Sequence, residues 1–166
     1  MGEVSKSWFS VIWRSCNLCM SVFFGLASYV QINDPDAGLW MFGYAVPALL
    51  CALVSIRPHL TETLAWRRVA DLHVMLSTAV VGMLGWALYR ERVTRIFQQE
   101  EGREFSGLVL AVFWLLLCRG SGRAPVGGLR VCTAVFISVF PFTAWLYYHV
   151  HEELRASWPS HCNSAL

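Results

Sequence analysis

Apolar residues in this chain come in unbroken blocks, divided by short segments that hold most of the charge. A helix must be roughly 17 to 25 apolar residues long to cross about 30 Å of hydrocarbon, and the blocks reach or approach that length. They predict spans at 16–32, 35–56, 70–89, 103–118 and 131–150, followed by a tail at 151–166. The fourth block, Phe105 to Cys118, is short and attains a span's length only if its helix continues back through Arg103 and Glu104. In lipid only helices and closed barrels satisfy every backbone group, and these runs lack the alternation of barrel strands. The predicted fold is therefore an all-α membrane protein, one domain over 1–166 built as a bundle of about five transmembrane helices with short loops.

Breakers refine this picture. Pro47 and Pro141 fall inside spans, where each removes a backbone donor and predicts a kink or a close contact. Gly120-Ser121-Gly122 and Pro125-Val126-Gly127-Gly128 predict a compact turn that folds the fourth and fifth helices into an antiparallel hairpin.

Composition agrees with lipid as the surrounding medium: 56% of the 166 residues are apolar and 14% are charged, against about 25% charged in soluble domains. The bilayer is thus the expected partner, the net charge of +2 gives no reason to expect nucleic acid, and an oligomer is compatible with the pattern. With five spans, one face collects Lys6, Arg14, Arg57, Arg67, Arg68, Arg119, Arg123 and Arg130, and the other Arg90, Arg92, Arg95, Arg103 and Arg155. The positive-inside rule then expects a cytosolic N-terminus and an outer or lumenal C-terminus, with the first span an uncleaved signal anchor. Plasma membrane and endomembranes are not distinguished. No N-x-[ST] sequon is present. Cys16, Cys19, Cys51 and Cys132 lie in spans as small apolar residues, Cys118 is a candidate for palmitoylation, and Cys162 sits in the tail.

The most informative short segment is Gln31-Ile32-Asn33-Asp34-Pro35-Asp36, followed by Trp40 and Tyr44. Asp34 suits a helix N-cap, with Pro35 at the first helical position and Asp36 in the first turn, while Trp40 and Tyr44 suit an interfacial aromatic belt. An odd number of spans brings this loop to the face that also carries Glu91, Glu100, Glu101 and Glu104, and then His149, His151, Glu152, Glu153, His161 and Cys162. Asp34, Asp36, Glu101, Glu104, His149 and His161 form a pool from which a divalent metal would draw three or four ligands, with His149 and Glu153 one turn apart on a continuing helix. The competing reading is structural: capping by the tetrad, a Glu91–Arg95 pair at helical spacing, and a solvated helix start at Glu100 to Glu104. Asp71 is expected to pair with Arg67 or Arg68. His73, within the third span, is expected to bond a neighbouring helix in preference to relaying protons.

The tetrad with its flanking residues, then Glu100-Glu101-Gly102-Arg103-Glu104 with Ser106-Gly107-Leu108, Pro125-Val126-Gly127-Gly128, Phe140-Pro141-Phe142 and the ending Ser157-Trp158-Pro159-Ser160-His161-Cys162, together resemble the transmembrane protein 220 family. The likeness runs in order along nearly the whole chain. It implies a small multi-pass membrane protein and singles out Gln31, Asn33, Asp34, Pro35, Asp36, Trp40, Tyr44, Trp158 and Pro159 as motif positions, with no catalytic residue or cofactor attached.

Three functions compete. With no catalytic motif, a non-catalytic scaffolding or regulatory membrane protein leads. A metal-dependent site or enzyme on the non-cytosolic face is the alternative, in which a metal-activated water attacks a lipid or peptide group. A small transporter or channel using Asp71 and His73 comes last, since the chain shows no inverted repeat.

Overall fold

The computed structural model describes residues 2–122 and 126–156. Five long helices dominate it: α1 (Gly2–Val30), α2 (Ala37–Ile56), α3 (Leu64–Arg90), α4 (Glu100–Cys118) and α5 (Gly128–Val150), followed by the short α6 (Glu152–Arg155). No strand occurs among the described residues. Single 3-10 turns at Gln31–Asn33, Pro58–Glu62 and Ile96–Gln98 carry the chain between helices.

Helices α1, α2, α3 and α5 are long and apolar enough to cross a bilayer. Helix α4 does continue back past Arg103 and Glu104 to Glu100, so its apolar part, Phe105 to Cys118, is preceded by more than a turn of charged helix. Four starts, those of α1, α3, α4 and α5, lie earlier than the apolar runs suggested. Helix α3 begins at Leu64 because the Thr63 hydroxyl accepts the Trp66 backbone N–H at 3.3 Å and the Trp66 indole N–H reaches the Leu50 carbonyl at 3.4 Å. That capping lets α3 carry Arg67 and Arg68 in its first turns.

Packing centres on the α1–α2 hairpin. Trp13, Met20 and Phe24 of α1, Cys51 and Val54 of α2, and Ala111, Trp114 and Leu115 of α4 form a core almost closed to solvent. Helix α4 lies on this hairpin and on α3, which forms one flank. Helix α5 forms the other flank. It packs on α1, through contacts such as Phe23 against Phe142, and only grazes α4, so the expected α4–α5 hairpin does not form. Ala134 and Ser138, small and buried, let α5 approach the bundle closely.

Large apolar side chains such as Leu49, Met83, Phe113 and Phe136 point outward. In water such a surface would be a liability; in a bilayer it meets acyl chains and leaves van der Waals packing and interhelical hydrogen bonds to hold the helices. The Ser21 hydroxyl donates to the Ala48 carbonyl at 2.8 Å and the Ser28 hydroxyl to the Met41 carbonyl at 2.9 Å, joining α1 to α2. Pro47 is buried within α2, and Pro141 within α5.

Candidate functional site at the acidic end of the bundle

The α1–α2 turn closes through local backbone bonds: the Asp34 N–H donates to the Gln31 carbonyl and the Ala37 N–H to the Asp34 carbonyl, both at 3.1 Å. Helix α2 thus starts at Ala37, two residues later than capping by Asp34 would require, and Asp36 occupies the cap position without a side-chain cap bond. Its carboxylate is used elsewhere, accepting the Trp40 indole N–H at 2.8 Å. Asn33 and Pro35 are exposed, and Gln31 and Asp34 half-buried.

Trp40 and Tyr44 do not form an outward aromatic belt: both rings are buried in the bundle. The Tyr44 ring lies near parallel to Phe24 at 6.5 Å, and its hydroxyl makes a long contact of 3.4 Å, donating to the Glu104 backbone carbonyl of α4. Space for it exists because residue 107 has no side chain. A Cβ on Gly107 would run into the Tyr44 hydroxyl oxygen. Gly102 is equally constrained, since a Cβ there would run into the Ile96 carbonyl of the loop before α4. The motif glycines of α4 are therefore places where the turn, α2 and the α3–α4 loop close on one another.

Glu104 sits at this junction, 8% exposed, ahead of the apolar run of α4. The carboxylates of Asp36, Glu100, Glu101 and Asp34 are its electrostatic neighbours. A carboxyl removed from water beside other carboxylates favours its neutral form. Glu101 is exposed in the first turn of α4.

Across the same end, Phe97 of the α3–α4 loop meets Tyr148 near the end of α5, with ring centroids 6.4 Å apart. The first loop, the third loop and the end of α5 therefore gather together, as five helices of alternating direction require. The details differ from the metal-site arrangement. His149 stacks on Trp145 at 5.0 Å, and α5 stops at Val150, so His149 and Glu153 do not share one helix. His151 instead approaches the Tyr147 carbonyl at 2.9 Å through Nδ1, as the helix unwinds. Among the described residues no three His, Cys, Asp or Glu side chains come together to hold a metal. Trp158, Pro159, His161 and Cys162 lie outside the described residues, as do Arg123 and Pro125.

Other expected pairings also change. Glu91 caps the end of α3 and Arg95 lies beyond it in the loop, where Arg92 has a φ of 51°, so helical spacing no longer applies. Glu91, Arg92, Arg95 and Gln99 line an open depression of about 300 Å³. Asp71 pairs across helices with Arg119, at 3.0 and 3.2 Å, and not with Arg67 or Arg68 on its own helix. His73 bonds Ser77 at 3.2 Å one turn on in α3, so that bond stays within the helix.

The structure adds a residue that sequence reasoning passed over. Asn17 of α1 is fully buried and acts as a hub: its amide donates to the Trp13 carbonyl at 2.9 Å, and its oxygen accepts the Trp114 indole N–H at 3.2 Å and the Cys118 thiol at 3.1 Å. Trp13 and Trp114 stack beside it, 6.2 Å apart and within 10° of parallel. A lone amide in an apolar run was the available signal, because a polar group in lipid must find a partner.

The order of these elements has counterparts in other proteins. The family described as Transmembrane family 220, helix, matches residues 23–120, from the middle of α1 through the acidic turn to the end of α4. The Xenopus laevis protein named Transmembrane protein 220 is 43% identical over 155 residues, covering 93% of this chain and 84% of its own length. No solved structure matches. With the match spanning both the acidic turn and the glycine that receives Tyr44, the chain belongs to the transmembrane 220 family.

Proposed function

We propose that this family member is a non-catalytic scaffolding or regulatory protein of a cellular membrane. All five long helices cross the bilayer, the N-terminus is cytosolic, and the acidic end faces outside or into a lumen. The observation that carries the reading is how the site's polar groups are used. Asp36 is occupied by Trp40, Tyr44 by the α4 backbone, and the buried amide Asn17 by Trp114 and Cys118. The Tyr44 and Asn17 bonds tie the α1–α2 hairpin to α4 and the Asp36 bond holds the first turn of α2, and among the described residues these leave no converging set of groups around a reacting atom. The acidic junction serves the fold as a clasp.

The test is re-expression in cells lacking the protein, scored for abundance in the membrane and for the phenotype of the loss. Asp36→Asn, Glu101→Ala and the pair His149→Ala with His161→Ala should affect phenotype only as far as they lower abundance. A variant at full abundance that fails to restore the phenotype would assign those side chains a chemical role and overturn the proposal.

A further inference from the structure

The end of the bundle opposite the acidic junction is built from the end of α2, the Pro58–Glu62 turn, the start of α3, the end of α4 and the start of α5. Contacts pull these pieces together: the Gly122 N–H donates to the Thr61 hydroxyl at 3.1 Å, and Trp66 reaches the Leu50 carbonyl. Two arginines of this end are used by the fold. Arg14 donates from Nε to the Ser55 carbonyl at 2.6 Å, at the C-terminus of α2, and Arg119 pairs with Asp71. Arg57, Arg67, Arg68 and Arg130 remain, and among the described residues no carboxylate pairs with any of them.

These four arginines stand next to aliphatic side chains that the bundle leaves outside. Ile56 precedes Arg57, Leu64 and Val69 flank Arg67 and Arg68, and Leu129, 85% exposed, precedes Arg130. That alternation separates a lipid surface from a soluble anion or a nucleic acid, neither of which has use for a greasy rim. Aliphatic groups enter the acyl boundary while guanidinium groups rise to headgroup depth. Phosphate is an acceptor that the guanidinium fork can meet with two hydrogen bonds. The acidic end lacks this character, since Arg90, Arg92 and Arg95 alternate with Glu91 and lie close in sequence to Glu100 and Glu101.

We propose that Arg57, Arg67, Arg68 and Arg130 form a binding surface for the phosphate headgroups of anionic phospholipids in the surrounding leaflet. The surface would hold the α2–α3 turn at a set depth and give the protein a preference for anionic membranes. It goes beyond the scaffolding role and does not depend on it.

The experiment reconstitutes the full chain in vesicles of phosphatidylcholine with a minority of phosphatidylserine. The protein is then extracted in mild detergent, and the retained lipid is measured by mass spectrometry. Phosphatidylserine should be enriched over its share of the vesicle, and enrichment should fall about fivefold for each arginine replaced by glutamine. Arg57→Lys/Arg67→Lys/Arg68→Lys should keep most of it, as should Arg90→Gln/Arg92→Gln/Arg95→Gln at the other end. If Arg57→Gln/Arg67→Gln/Arg68→Gln does not fold, the exposed single change Arg68→Gln carries the test. Retention in proportion to the vesicle, or an equal loss from changes at both ends, would overturn the proposal. Displacement of the lipid by excess inorganic phosphate at constant ionic strength would also overturn it, by making this a soluble-phosphate site.

Discussion

Replacing Gly107 with alanine probes the clasp at its tightest point. The new Cβ would run into the Tyr44 oxygen and lie 2.9 Å from Cζ and 3.1 Å from Cε1, so the ring must retreat by about an ångström to regain ordinary contact. Tyr44 has little room to move, being 3% exposed and stacked on Phe24. Overpacking of this kind costs roughly 1–3 kcal/mol, and losing the long hydroxyl contact to Glu104 adds about 0.5 kcal/mol. For a chain of this size about 2 kcal/mol corresponds to roughly 4–8 °C in Tm. The assay is thermal unfolding of purified protein in detergent, followed by the surviving monodisperse fraction. Gly38→Ala is the matched control, since its Cβ meets nothing within 4 Å, and alanine should there raise stability slightly. In a Tyr44→Phe background the nearest clashing atom is gone, so Gly107→Ala should cost about 1 kcal/mol less than in the wild type. A Gly107→Ala protein as stable as Gly38→Ala, or a penalty unchanged by Tyr44→Phe, would refute the reasoning.

Asn17→Leu strands the Trp114 indole N–H in the core and should lower stability by about 1–2 kcal/mol in the same assay, whereas Asn17→Gln, which keeps the amide, should cost less.

Much of the architecture was legible because apolar block length reports directly on lipid crossing. The spans at 35–56 and 131–150 start within three residues of α2 and α5 and end on the same residues. The helix starts were harder to read. Charged residues looked like boundaries, yet α3 runs through Arg67 and Arg68 once Thr63 and Trp66 secure its first turn, and α4 begins on Glu100. Local spacing also misled wherever a tertiary partner was better placed. Asp71 finds Arg119 across the bundle, because that partner is fixed in place by its own helix, while Asp36 gives up the cap for a different local partner, the Trp40 indole one turn on. The junction of first loop, third loop and α5 followed from counting helices. The burial of Trp40 and Tyr44 did not, since an aromatic near a membrane boundary has the same one-dimensional pattern whether it faces lipid or core. Asn17 gave no periodic signal at all.

The most direct test of the whole arrangement is the side of the membrane reached by each end. The chain has no glycosylation sequon of its own, so engineered acceptors report cleanly. Acceptors in the Glu91–Gln99 loop and in the tail after α6 should be glycosylated, while acceptors in the Pro58–Glu62 turn and ahead of α1 should not. If the tail acceptor stays unmodified and shares the N-terminal side, α4 does not cross, and the five-span account with its acidic outer clasp and basic cytosolic end is wrong.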